Sequence, residues 1–407
     1  METLEAALTE YVGALVDRKA IASESVERAF RKVRRHRFLE GWYHLDVKDD
    51  RVVFLPVEYD RDRPSPENIE EIYSNKPLVT AVNRSVPTSS TSQPSLVAGM
   101  LELLDLSPGM RALEIGTGTG YNAALLAEIL GSKGRVYTIE FQEDVATKAR
   151  SHLEDEGYGD VQVVSGDGFF GVPEAAPFDR IVATVGCPDL SPHWLDQLDG
   201  NGFLLIPLRH GLSDPLTRLR RDPDSPTQAL GRIVDTSDFM QIQGALTGAA
   251  PWRNSLIVGL PERPTWSRRL PDALASTAEP RHPLGEDHHR AFAFFLSLAL
   301  RPLWYTNDGY GLADPGASAV VVVTREAIEG YSAIPSGKSL DALYESFLGL
   351  LDLWIDLATP VPSDFELHFV PKSEFDHSKR LEGTPGRQWI IERPFFWEIV
   401  RLPEVIG

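Results

Sequence analysis

The sequence predicts an α/β fold built on a doubly wound parallel sheet, and three observations predict it. Between residues 92 and 208, short apolar runs alternate with amphipathic runs at helical spacing, the pattern of parallel βαβ units. The first apolar run, RALEIG, opens into a glycine-spaced turn, GTGTG, ahead of the next helix. Beyond residue 251 the alternation gives way to a stretch rich in Pro, Trp and Arg, then to a different mixture of elements. The expected organisation is an N-terminal helical, substrate-side segment (1–91), a Rossmann-like core (92–250) and an additional C-terminal α+β domain (251–407).

Each element follows from local pattern. Leu4, Leu8, Val12 and Leu15, then Ile21, Val26, Phe30 and Val33, recur at helical spacing, with Ser23 or Ser25 placed to cap the second helix. Residues 42–90 are mixed, with strand-like pieces such as RVVFLPV. SQPSLVAGMLELLDL reads as a helix that tolerates Pro94 in its first turn. RALEIG (111–116), RVYTIE (135–140), VQVVSGD (161–167), FDRIVATVG (178–186) and FLLIPL (203–208) read as buried strands. Between them YNAALLAEIL, QEDVATKARSHLEDEG and HWLDQLDGNG read as helices, the second ended by Gly157 and the third running into a turn. LTRLRR and ALGRIV form a hairpin, and DFMQIQG follows. Residues 251–283 read as a linker or a wrapping segment. A helix in HHRAFAFFLSLAL, the strand ASAVVVVT, a helix from Ser339 to Thr359 and the strands ELHFV and RQWIIE suggest a separate module.

Composition narrows the function. Apolar residues make up 42% of the 407, enough for full cores. The opening METLEAALTEYVGALVD has neither the basic start nor the small-residue cleavage site of a signal peptide, and no apolar run reaches the roughly 18 residues that span a bilayer. A cytoplasmic protein that does not engage a membrane is expected. The single cysteine, Cys187, excludes an internal disulfide and reads as a small buried residue. A net charge of −19 repels phosphate backbones, so nucleic acid is not an expected partner. The basic run FRKVRRHRF (30–38) is either a solvated helix face or a landing site for an acidic peptide. His282, Glu286, His288 and His289 give no metal site, because adjacent helical histidines diverge. Trp304, Tyr305, Phe395, Phe396 and Trp397 read as core.

The chemistry concentrates at strand ends. Gly116, Thr117, Gly118, Thr119 and Gly120 follow the first core strand, and Glu114 lies two residues ahead of them. The spacing differs from the G-x-G-x-x-G of dinucleotide sites. Glu140 ends the next strand, where an acid can accept from two ribose hydroxyls. Asp167 ends the third, placed to accept from an exocyclic amine such as that of adenine. Three anionic acceptors without a basic phosphate clamp point to a nucleoside lacking phosphates. S-adenosylmethionine, a cationic sulfonium, fits, with S-adenosylhomocysteine as product. Asn122, Phe141, Gly166, Gly168 and Thr184 flank these strand ends and complete the candidate cofactor set.

These residues resemble a Class I S-adenosylmethionine methyltransferase. At closer range TSQPSLVAGMLELL, LEIGTGTGYNAALLA, VVSGDGFFGVPEAAPFDRIVAT and HWLDQLDGNGFLLIPL resemble the protein-L-isoaspartate O-methyltransferase family, over about residues 10–245. The resemblance implies that the segment before Ser92-Gln93-Pro94 closes over the site and offers hydroxyls to the substrate carboxylate. Ser92 matches the hydroxyl residue with that role, Ser90 matches a nearby Thr, and Thr91 lies between them. Read from the residues alone, Ser90, Thr91 and Ser92 equally suit a helix N-cap. No general base is needed, because an Asp carboxylate with a reference pKa of about 3.9 is ionised at neutral pH. Geometry and water exclusion supply the acceleration. The resulting methyl ester can be attacked by the following backbone nitrogen to give a succinimide (aspartimide).

Two features depart from the family: NRSVPTSST stands where Gly-Gln-Thr-Ile is usual, and residues beyond 251 are additional. The first departs from the pattern tied to isoaspartate; the second resembles enlarged relatives that tailor ribosomally made peptides (RiPP biosynthesis) such as lanthipeptides and graspetides. The expectation is therefore an aspartyl carboxyl methyltransferase whose partner is a modified precursor peptide. General isoaspartyl repair and a non-catalytic peptide-binding module are the alternatives.

Overall fold

The structure, a computed structural model, describes residues 2–48, 51–210, 214–247, 266–269, 286–298, 303–306, 309–313, 319–324, 327–332, 338–376 and 386–403. The chain opens with helices α1 (Glu2–Asp17) and α2 (Glu24–Lys32). Ser23 caps α2 by accepting from the Val26 N–H. Strands β1 (Trp42–Lys48) and β2 (Arg51–Val57), helix α3 (Pro66–Ile72) and strands β3 (Leu78–Asn83) and β4 (Val86–Thr91) follow. The four strands form an antiparallel sheet in the order β2-β1-β3-β4.

The alternating region gives α4 (Pro94–Leu103), β5 (Arg111–Ile115), α5 (Tyr121–Leu130), β6 (Arg135–Glu140), α6 (Glu143–Asp155), β7 (Gln162–Ser165), β8 (Phe178–Ala183), α7 (Pro192–Asp196) and β9 (Leu198–Pro207). Strands β7, β6, β5, β8 and β9 lie side by side and parallel. Chain order therefore reverses between β5 and β8, the switch point at which such sheets open a crevice. The hairpin of β10 (Asp214–Asp222) and β11 (Ser225–Ser237) continues the sheet in antiparallel fashion.

Two expectations are corrected here. Ser90 and Thr91 do not cap a helix: they end β4, and α4 starts at Pro94 behind Gln93 with no side-chain cap. The stretch HWLDQLDGNG holds only a five-residue helix, because β9 already begins at Leu198 and runs through its glycines.

The C-terminal region contributes β12 (Trp266–Arg269), α8 (Glu286–Ser297), β13 (Leu303–Thr306), β14 (Gly309–Ala313), β15 (Ala319–Thr324), β16 (Ala327–Ser332), α9 (Lys338–Asp356), β17 (Glu366–Pro371), β18 (Gln388–Glu392) and β19 (Phe396–Arg401). Most of the proposed linker at 251–283, and His282, lie outside the described residues. Strands β12, β16, β15, β14 and β13 form a five-stranded antiparallel sheet of their own, whereas the last three strands join the core. β17 pairs with β11, and β19 and β18 follow, so one sheet of ten strands crosses the expected boundary.

Packing follows the period-two alternation of the central strands. Leu113, Ile115, Ile181 and Leu204 face one core with Phe292, Phe347 and Trp354 of α8 and α9. Ala112, Val182, Phe203 and Leu205 face the other core with Val12, Phe30, Leu101 and Leu125 of the N-terminal helices, α4 and α5. Each half of the chain thus covers one face of a sheet whose parallel part needs both faces covered.

A buried ionic cluster joins the two halves. Arg393, Glu398 and His210 are each inaccessible to solvent in their side chains. Arg393 donates to Glu398 Oε2 at 2.7 Å and to the carbonyls of Pro188 and Arg209. Burial alone would raise the Glu398 pKa, but Arg393 and His210 outweigh it and hold the carboxylate at about 2. Replacing one member strands the other charges. Arg393→Met is predicted to lower the unfolding free energy by about 3–5 kcal/mol. Urea denaturation with an unchanged midpoint would contradict this.

Candidate active site

The site is built at the end of β5. Gly116 (φ +98°) turns the chain, and a Cβ there would lie 2.9 Å from both Thr184 Oγ1 and Val185 Cγ1. Thr184 in turn donates to the Gly116 carbonyl at 2.6 Å, locking the loop to the end of β8. Gly118 (φ +54°) approaches the preceding hairpin, and its Cβ would lie 3.3 Å from the Ser90 carbonyl oxygen. Only glycine fits a left-handed turn with walls this close.

The acids are fixed by this loop. Glu140 accepts from the Gly118 N–H at 3.0 Å and from the Gln142 N–H at 3.1 Å. Burial raises its pKa, and these amides restrain the rise. Glu114 has no solvent exposure; it accepts from Asn122 Nδ2 at 2.7 Å and from Thr138 Oγ1 at 2.6 Å. Thr117 completes the chain through a 2.7 Å contact with Thr138. Desolvation pushes Glu114 up to about 7, against the pull of those two donors.

An open cavity of about 1070 Å³, including its mouth, lies above β5, β6 and β8. Of the candidates from sequence, Ser90, Thr91, Ser92, Glu114, Gly116, Thr117, Gly118, Thr119, Asn122, Glu140, Phe141, Gly168 and Thr184 line it. Phe141 is 48% exposed, an apolar ring free to cover a planar base. Gly120 and Gly166 stand behind the wall: Gly120 caps α5, and the Gly166 N–H bonds the Glu140 carbonyl.

Asp167 follows the end of β7, as the sequence suggested, and its carboxylate is already engaged. Its Oδ1 accepts from the Phe169 N–H at 2.9 Å and its Oδ2 from the Ala245 N–H at 2.7 Å, and it does not line the cavity. The carboxylate clamps two turns together beside Gly168 of the cavity wall, and each oxygen keeps a second lone pair that an adenine amine could use.

Sequence reasoning missed several parts of the wall. Phe239–Gln243 line it, fixed by the Gly186 N–H bond to Met240 O and the Ile242 N–H bond to Gly186 O. Ser89 and Gln142 also line it, and Gln142 Nε2 ties the cofactor side to the Thr88 carbonyl of β4 at 2.8 Å. Their signal was weak because polar residues in a strand look like a turn. Within the basic run, Arg31 and Lys32 lie on a solvated face of α2, as one reading of the sequence had it, and the rest is packed. Arg35 is buried and donates to the carbonyls of Ile72, Ser74, Lys76 and Ser92. Lys32, Arg34 and Arg37 pair with Glu128, Glu5 and Glu156, so the charges brace the fold. Cys187 is fully buried, as expected. Among the described residues no group of three or more potential ligands is arranged for a metal, and no helix is long and apolar enough to cross a membrane.

The donor set was tested against the nucleoside. Among the described residues no Lys, Arg or His lines the cavity, so a phosphate group would meet no counter-charge from them, whereas two carboxyl groups sit at the loop. A cationic, phosphate-free nucleoside fits. Glu140, the Gly116–Gly120 loop and Phe141 would hold S-adenosylmethionine, with Glu114 behind the loop as a hydrogen-bonded acid whose ionised form a bound cation would favour. Fold and site together define a Class I S-adenosylmethionine-dependent methyltransferase.

Comparison with known proteins narrows the class. The family model for protein-L-isoaspartate(D-aspartate) O-methyltransferase matches residues 7–233. Protein-L-isoaspartate O-methyltransferase of Methanococcoides burtonii is 40% identical over 161 residues, 39% of this chain and 77% of that protein. The enzyme of that name from Anaeromyxobacter dehalogenans is 38% identical over 186 residues, covering 45% and 85%. A solved protein-L-isoaspartate O-methyltransferase superposes with a TM-score of 0.51 at 25% identity, over 89% of this chain and 96% of its own. The chain belongs to the protein-L-isoaspartate(D-aspartate) O-methyltransferase family and is a carboxyl methyltransferase that uses S-adenosylmethionine.

Glu114 gives a pH test. Its folded pKa of about 7 exceeds the ordinary 4.5, so the native state holds that proton longer than the unfolded chain. The stability this confers is fully present below 4.5 and is lost as pH rises through 7. Unfolding free energies measured across that window should fall more steeply for the wild type than for Glu114→Gln. Parallel profiles would contradict the assignment.

Proposed function

We propose that this enzyme methylates the side-chain carboxylate of isoaspartyl residues in polypeptides and so starts their return through a succinimide. The observation that carries this reading is the extent of the structural likeness. A solved protein named for isoaspartate matches over 89% of this chain, a span that extends past residue 251, and this supports the reading. That region therefore does not by itself favour peptide tailoring, which was the leading expectation from sequence.

The chain's own groups suit the task. The substrate carboxylate arrives ionised, so no residue need remove a proton. Ser90 and Ser92, at the cavity wall, can donate hydrogen bonds that orient the attacking oxygen. Val97, Met100, Leu101 and Ile242 give the cavity apolar walls that exclude water, which would otherwise stabilise the separated ions. When bound, S-adenosylmethionine supplies an electrophilic methyl group and leaves as S-adenosylhomocysteine. The substrate's own backbone nitrogen then displaces methanol from the ester.

One observation favours a second reading, tailoring of a constrained precursor peptide: the β3–β4 hairpin carries NRSVPTSST in place of the usual Gly-Gln-Thr-Ile. Methyl transfer to three matched peptides separates the two. The favoured reading predicts turnover of an isoaspartyl peptide at least about tenfold faster than its aspartyl counterpart or a macrocyclic aspartyl peptide. Turnover of the macrocycle alone would establish tailoring instead.

A further inference from the structure

The small antiparallel sheet has an unusual outer face. In such sheets one face packs on the core and the other is normally polar. Here Trp42, Leu78 and Thr91 point into the N-terminal core and are buried. The opposite face is apolar as well. Direct cross-strand partners share a face, so the registers Ser90↔Val79, Val79↔Tyr43 and Tyr43↔Pro56 trace one row across all four strands. Leu45 and Phe54 form the next row, with Val52 beyond. Leu45 is 64% exposed and Val52 48%. Contiguous exposed apolar surface marks a binding site more often than scattered residues do.

The row begins at the cavity. Ser90 lines it, and β4 is fastened to the cofactor side by the Gln142 bond to Thr88. We propose that this face is the docking platform for the substrate polypeptide, taking apolar side chains of an extended segment that flanks the target residue. The proposal rests on the carboxyl methyltransferase reading above, because continuity with that site identifies the occupant. Strands about 4.8 Å apart make the row about 14 Å long, and an extended chain advances about 3.3 Å per residue. Leu45, two residues along β1 from Tyr43, then lies about 12 Å from Ser90 and Val52 about 20 Å, so flanking residues about four to six positions from the target reach them, while a tripeptide does not.

The test is steady-state methylation of two isoaspartyl peptides: a tripeptide, and a longer peptide of about ten residues with apolar flanks. The variant Leu45→Ser/Val52→Ser changes only exposed side chains, and Val16→Ser, another exposed apolar position, is the control. The double variant should raise KM for the long peptide by about tenfold, leaving kcat, the tripeptide kcat/KM and S-adenosylhomocysteine affinity unchanged. Equal effects on both peptides, or none on either, would overturn the platform. A wild-type dimer that the variant dissociates without changing KM would assign the face to a second copy of this chain. A wild type that binds S-adenosylhomocysteine yet methylates neither peptide would overturn the isoaspartyl reading, and the platform with it.

Discussion

The fold turns on the constraint at the end of β5. A strand buried between two parallel neighbours must stop, reverse and enter a helix within five residues. Gly116 and Gly118 do this in left-handed conformations, against Thr184 on one side and the Ser90 carbonyl on the other. The Gly118 N–H is then left pointing at Glu140, which fixes that acid at the cavity wall. Because the hairpin that carries the hydroxyls rests on the same glycine, cofactor side and substrate side share one wall. A single Cβ at position 118 would push them apart.

The C-terminal region supports that wall from behind. Arg393 holds the Pro188 and Arg209 carbonyls, and Asp189 accepts from the Phe395 and Phe396 amides. Gly186, two residues before Pro188, bonds the strip that lines the cavity. Phe395 stacks on Phe169 at 5.0 Å, next to Gly168 on the cavity wall. The fold thus treats the added residues as the second cover of its sheet, and buried charge fixes the register of that cover.

What the sequence disclosed and what it hid follow one rule. Periodic apolar runs are local signals, so all five parallel strands and their order of appearance were legible, as were the glycine loop, Glu114 and Glu140. Interactions between distant segments were not. The basic run looked free because its partners, Glu128 and Glu156, lie about a hundred residues away. The bond from the Ala245 amide to Asp167 was hidden because the two residues lie 78 positions apart. The strand at Val86–Thr91 was missed because its serines and threonines read as a turn. β17–β19 were assigned to a separate module because pairing with β11 leaves no mark on local pattern.

The central claim is that Glu140, held by the glycine loop, grips a phosphate-free nucleoside. Titration calorimetry with S-adenosylhomocysteine tests it most directly, on the wild type and on Glu140→Ala. The account predicts saturable one-to-one binding by the wild type and a loss of at least about tenfold in the variant, from two charge-assisted hydrogen bonds. No heat with the wild type, or equal affinity in both proteins, would contradict it.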